Sequence, residues 1–87
     1  MKFEYNPQKS QANLKKHGIT LEDAQLLWGV PNIQILARTV DEERFMIIGR
    51  INEKCYSCIF TKRGEAIRLI SARRSRKQEE KLYYENI

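Results

Sequence analysis

The chain has 87 residues, with 16 Lys or Arg against 11 Asp or Glu and a formal net charge of +5. That length holds a single domain, residues 1–87, with one small core, and leaves no room for separate binding and catalytic domains. Apolar residues make up 41% of the chain, Gly and Pro are few, and no repeat or low-complexity tract interrupts it, so a folded domain is expected rather than a disordered segment.

Lys2 to Tyr5 alternates polar and apolar residues and reads as a first strand. It meets Asn6-Pro7, a helix N-cap followed by proline at the first helical position. The helix should run through Leu14 and Lys16 and stop at Gly18, with Lys15, Lys16 and His17 complementing its dipole. Thr20 caps a second helix with Glu22 and Asp23 in its first turn, and Ile19 and Ala24 have the spacing of a hydrophobic staple. Leu21, Ala24, Leu27 and Trp28 fall near one face, so Trp28 is expected in the core. Gly29 to Pro31 ends this helix.

From Ile33 the pattern turns extended, with strands expected over Ile33–Thr39, Arg44–Ile51, Cys55–Thr61 and Ala66–Ala72. The connections Val40 to Glu43, Asn52 to Lys54 and Lys62 to Glu65 are short and polar, which suits hairpins and a largely antiparallel sheet. Ser75 and Gln78 have capping-box spacing for a last helix. The order is β-α-α-β-β-β-β-α, a two-layer α+β fold. Its N-terminal helices should cover one face, leaving the other to the C-terminal helix and a basic cleft.

Cys55 and Cys58 form a lone C-x-x-C within an expected strand. Residues three apart there point to opposite faces and do not share a metal or a disulfide easily. No second pair completes a zinc ribbon, so both are read as packing residues, with no metal and no cofactor expected. The segment Met1 to Tyr5 lacks a signal-peptide apolar region, and no run approaches the roughly 18 apolar residues of a membrane span, so a cytoplasmic protein without membrane contact is expected.

Charge is balanced before residue 43, but between Lys62 and Lys77 seven Lys or Arg face one acid, Glu65. Arginines interleaved with the rings of Tyr83 and Tyr84 are the footprint of a surface that grips a polyanion, most simply nucleic-acid phosphates.

Ordered landmarks extend over nearly the whole chain: Phe3-Glu4-Tyr5-Asn6, Lys9, Asn13, Lys16-His17-Gly18-Ile19, Glu22-Asp23-Ala24, Glu43-Arg44, Ile48-Gly49, Thr61-Lys62-Arg63, Arg68 to Arg74, Glu79-Glu80 and Tyr83. In these the chain resembles the BrnT toxins of bacterial type II toxin-antitoxin systems. It departs from them at Tyr5-Asn6, where Trp-Asp is common, and at Trp28-Gly29. The resemblance implies a RelE-like fold and an endoribonuclease that works without a metal. It also implies a cognate BrnA-like antitoxin of the ribbon-helix-helix type, with operator DNA bound only through that antitoxin and RNA met by the toxin itself.

Metal-independent RNA cleavage needs deprotonation of a 2′-hydroxyl, stabilisation of the charged phosphate and protonation of the departing 5′ oxygen. His17 is the single histidine, so a histidine pair is excluded by counting. The expected catalytic set is Arg68 and Arg73 on the phosphate, Glu43 as base and Tyr83 as proton donor or stacking platform. Arg44, Arg50, Arg63, Arg74 and Lys16 are the expected RNA-binding residues. Each has a plainer reading. His17 suits a helix end, Lys16 a solvated surface, and Glu43 can simply hold an arginine, while one of Tyr83 and Tyr84 is expected to pack on the sheet. Strand parity also opposes Arg68 and Arg73, five residues apart, unless a bulge or strand end intervenes. The competing functions are a noncatalytic RNA-binding module and an inactive toxin remnant acting as an antitoxin-binding scaffold.

Overall fold

The computed structural model describes residues 1–37 and 41–87. Its elements are β1 (Lys2–Glu4), α1 (Pro7–His17), α2 (Leu21–Ala24), a 3-10 helix (Gln25–Gly29), β2 (Asn32–Leu36), β3 (Phe45–Ile51), β4 (Lys54–Arg63), β5 (Ala66–Arg74) and α3 (Lys77–Asn86). The α+β order read from the sequence is the order found, and it is compatible with a RelE-like layout. Thr39 at the end of the expected first long strand, and Val40 in the connection after it, lie outside the described residues.

Local chemistry sets the helix boundaries. The Asn6 side chain accepts the Gln8 and Lys9 amides and starts α1, while Gly18 adopts φ 76° and returns its N–H to the Leu14 carbonyl. Thr20 caps α2 by accepting the Asp23 amide at 2.9 Å. The second helix is one α-turn that tightens into the 3-10 segment, yet Leu21, Ala24 and Leu27 are all buried, so the expected apolar face is kept.

The five strands form one sheet in the order β1-β5-β4-β3-β2, antiparallel except for the parallel pairing of β1 with β5. Asn52 and Glu53 turn the β3–β4 hairpin with φ of 52° and 67°. On the inner face, Leu21, Ala24 and Leu27 pack with Ile47, Cys58, Phe60, Leu69 and Ala72. Trp28, expected in the core, is partly buried and packs against it, edge-on to Phe3 and Phe60 with ring centroids 5.1 and 5.0 Å away. Gly49 lets this layer close, because a Cβ there would lie 3.2 Å from the Leu27 Cδ2 and from the Pro31 carbonyl oxygen. The outer face carries a smaller cluster in which Tyr83 of α3 packs with Ile48 and Cys55 against Ile33 and Met46.

Cys55 and Cys58 are free, buried and in opposite clusters, as strand parity requires. Burial pushes the Cys58 thiol up to about 12. Among the described residues no helix is long and apolar enough to cross a membrane.

Asn13 ties α1 to the sheet. β1 covers only the first residues of β5, so the rest of that strand has an open edge. Asn13 closes part of it: its amide donates to the Ala72 carbonyl at 2.8 Å and to the Ile19 carbonyl at 2.7 Å, and its oxygen accepts the Ala72 amide at 3.2 Å. Nearby, the buried Ser10 hydroxyl accepts the Leu21 amide.

Candidate functional site

β5 is not a regular strand. Thr61 stands opposite Arg68 and Phe60 opposite Leu69, but Ile59 stands opposite Ser71 and Ser57 opposite Arg73, leaving Ile70 as an extra residue. This bulge resets the alternation, so Arg68, Ser71 and Arg73 share the outer face with Thr61, Ile59 and Ser57. Sequence parity set the two arginines against each other, and the inserted Ile70 removes the conflict.

Arg68 lies at one end of this face. Its guanidinium is 3.8 Å from Glu4 on β1, the residue paired with it across the strands, and the two side chains are 35% and 37% exposed. Such a half-solvated pair contributes little to stability, which leaves the guanidinium able to exchange its partner for a phosphate. Thr61, opposite Arg68, is buried and donates its hydroxyl to the Glu43 carbonyl at 2.9 Å. Glu43 and Arg44 therefore reach the same end of the sheet, both exposed. Arg63 follows two residues after Thr61 on the same face, 3.8 Å from Glu42. The structure thus brings together Arg44, Arg63, Arg68, Glu43 and, unforeseen, Glu4.

Arg73 lies at the other end and is firmly held. Its Nη1 and Nη2 donate to the two Glu79 carboxylate oxygens, each at 2.8 Å, and Nη1 also reaches the Arg74 carbonyl at 3.2 Å. Glu79 accepts the Ser57 hydroxyl at 2.8 Å and the Arg76 amide at 2.9 Å as well.

A cleft of about 260 Å³ opens beside Ser71. Its walls are Ile70 and Ser71 on β5 and Lys9, Ala12, Asn13, Lys16 and His17 on α1. Because Ser71 shares the face of Arg68 and Arg73, the basic surface continues over the free edge of β5 onto α1.

A family model described as a ribonuclease toxin, BrnT, of a type II toxin-antitoxin system matches residues 5–79. The chain belongs to the BrnT family. Its activity class is therefore that of a ribonuclease toxin, with an antitoxin protein as partner and RNA as substrate. No curated protein matches the chain.

The match spans the arginine face of this BrnT chain from Tyr5 to Glu79. Within it, the environment of Glu79 has opposing parts. Burial acts to raise its carboxyl, but the hydrogen bonds from Arg73, the Arg76 amide and Ser57, with the Arg73 charge, outweigh this and hold it at about 2. The same hydrogen bond, against partial burial, holds the Arg73 guanidinium above its ordinary value.

Other expected site residues of this BrnT chain lie elsewhere. Tyr83 is 3% exposed beneath α3 and donates its hydroxyl to the Pro31 carbonyl at 3.1 Å. Tyr84 is the exposed member of the pair, so the one expected to pack on the sheet is Tyr83. Arg50 lines a separate recess with Val30, Pro31, Glu53 and Tyr83, at the opposite end of β3 from Arg44, about 20 Å along an extended strand. Arg74 falls on the inner face, its guanidinium 5.7 Å above the Tyr56 ring. Among the described residues, no three His, Cys, Asp or Glu side chains gather as a metal site.

Proposed function

We propose that this toxin cleaves RNA without a metal ion on the outer face of its sheet, with Arg68 on the scissile phosphate. The observation that carries this reading is the Ile70 bulge, which puts Arg68 and Arg73 on one face and leaves Arg68 half-solvated beside a carboxylate. Arg44 and Arg63 extend the phosphate contacts at the same end, and Lys16 continues them along α1. Glu4 is the base for the 2′-hydroxyl, because it is the carboxylate at Arg68; Glu43 serves that end of the sheet through its backbone. Arg73 fixes α3 through Glu79 and adds positive potential at the edge of the site. The antitoxin is a BrnA-like ribbon-helix-helix protein that covers this face and alone contacts operator DNA.

The test is RNA cleavage in EDTA by wild type and Arg68→Ala, with RNA supplied free and on translating ribosomes. Loss of a transition-state phosphate contact should lower turnover by on the order of 100- to 1,000-fold while RNA affinity changes much less. Equal turnover by the two proteins removes Arg68 from the site. RNA binding with no cleavage by wild type under either condition favours the noncatalytic module.

A further inference from the structure

The arginine face has phosphate ligands and a base, but cleavage also needs a proton for the leaving oxygen. Arginine is a poor donor because it stays protonated through the accessible pH range. Glu79 is committed to Arg73, Ser57 and the Arg76 amide. Tyr83 is buried with its hydroxyl on Pro31. The cleft beside Ser71 supplies what is missing. His17 lines it together with Lys9 and Lys16, and Ser71 on its opposite wall lies between Arg68 and Arg73 on the catalytic face. Lys9, Lys16 and His17 stand at positions i, i+7 and i+8 of α1, so one helical face presents all three toward β5.

We propose that His17 is the general acid of the cleavage reaction and that Lys9 and Lys16 hold the RNA backbone on the leaving-group side of the scissile bond. This rests on the reading of the outer face as the RNA-cleaving surface. In the step, the 2′-oxygen gives its proton to Glu4 and bonds to phosphorus as the bond from phosphorus to the 5′ oxygen breaks. The departing 5′ oxygen takes the proton of the His17 imidazolium. The products are a 2′,3′-cyclic phosphate and a 5′-hydroxyl, and the neutral imidazole and the protonated Glu4 exchange with solvent. No oxidant, reductant or further reactant enters. Histidine suits the task because one imidazole both donates a proton and recovers it from solvent.

The experiment compares wild type, His17→Ala and His17→Gln on two RNAs, one natural and one carrying sulfur in place of the bridging 5′ oxygen at the mapped cleavage position. A thiolate leaves without protonation, so general-acid catalysis is dispensable for the second substrate. Both variants should be slowed by on the order of 100-fold or more on the natural RNA and stay within a few-fold of wild type on the sulfur-bridged RNA. Equal losses on both substrates, or no loss on either, overturn the proposal. Loss of folded content in both variants, measured by circular dichroism, also overturns it and assigns His17 to the helix end. Failure of wild type to cleave either RNA defeats the reading of the face itself, an outcome distinct from normal wild-type cleavage with unaffected His17 variants.

Discussion

Arg73 and Glu79 meet fork to fork, both nitrogen–oxygen distances 2.8 Å, and this pair is the polar link that fastens α3 to the end of β5. The two side chains are only 24% and 15% exposed, and Glu79 holds Ser57 and the Arg76 amide as well. Glu79→Ala therefore leaves several groups without their acceptor, and about 2–3 kcal/mol of stability should be lost in urea denaturation. Arg73→Ala should lose a similar amount, so its RNA cleavage is compared with wild type at equal folded content. A variant as stable as wild type would show that the pair does not hold α3.

Stability should also depend on acid. The Glu79 carboxyl sits at about 2 in the fold against an ordinary 4.5, so its contribution is present above about pH 4.5 and is lost as pH falls toward 2. After allowance for solvent screening this amounts to roughly 1–2 kcal/mol. Glu79→Gln should be less stable than wild type at pH 7, and the gap should shrink as pH falls through this window. A gap that is the same at pH 7 and pH 3 contradicts the assignment.

Asn13→Ala should be among the most damaging polar substitutions. Its side chain serves both backbone groups of Ala72 and the Ile19 carbonyl at a site 8% exposed, so truncation leaves buried groups unpaired. A loss of about 2–4 kcal/mol is expected, with a lower thermal midpoint. A drop within 0.5 kcal/mol, estimated as for ordinary surface changes, would mean that water replaces the amide.

Deleting Ile70 tests the bulge itself. The deletion leaves Arg68 and Arg73 four residues apart on a strictly alternating strand, so both stay on the outer face and only the bulge is lost. Cleavage per folded molecule should largely survive the deletion, and its loss would show that the bulge places Arg68 by more than alternation. Ile70→Ala keeps the backbone and should retain most activity.

The thiols give a probe of the native state. Both cysteines are buried and free, and Cys58 is pushed up to about 12, so neither should react quickly with a disulfide reagent at pH 8. Both should react at once in denaturant. Rapid native modification of either would mean that its cluster opens far more easily than its burial implies.

Much of the fold was legible because its signals are local. Asn6-Pro7, Gly18 and Thr20 act within a few residues, and the caps they predict are the caps observed. The last helix shows where local reading fails. Ser75 and Gln78 have the spacing of a capping box, but Ser75 uses its hydroxyl on Ser57 at 2.8 Å, and the N-cap falls on Arg76 with Glu79 reaching back to its amide. The site was legible in part. The arginines stood out by number, but which of them share a face depends on Ile70, whose apolar side chain carries no mark of a bulge. Glu4 joins Arg68 through a pairing between β1 and β5 that periodicity does not reveal. The i, i+7, i+8 spacing of Lys9, Lys16 and His17 was a usable signal, though it gains meaning only when β5 is set beside α1.

The parallel pairing of β1 with β5 has a consequence for how activity arises along the chain. The contacts that define the face join its two ends: Glu4 to Arg68, and Asn13 to Ala72 across 59 positions. Loop closure of that length comes late in folding, after the β3–β4 hairpin has had time to form. A fragment stopping before Ala66 would leave Glu4 on a strand without its partner, Lys9 and His17 on a helix without β5 to dock against, and β4 as an unprotected edge. Such a fragment should be prone to aggregate and catalytically silent, so the hazardous surface arises in one step, when β5 slides between β1 and β4.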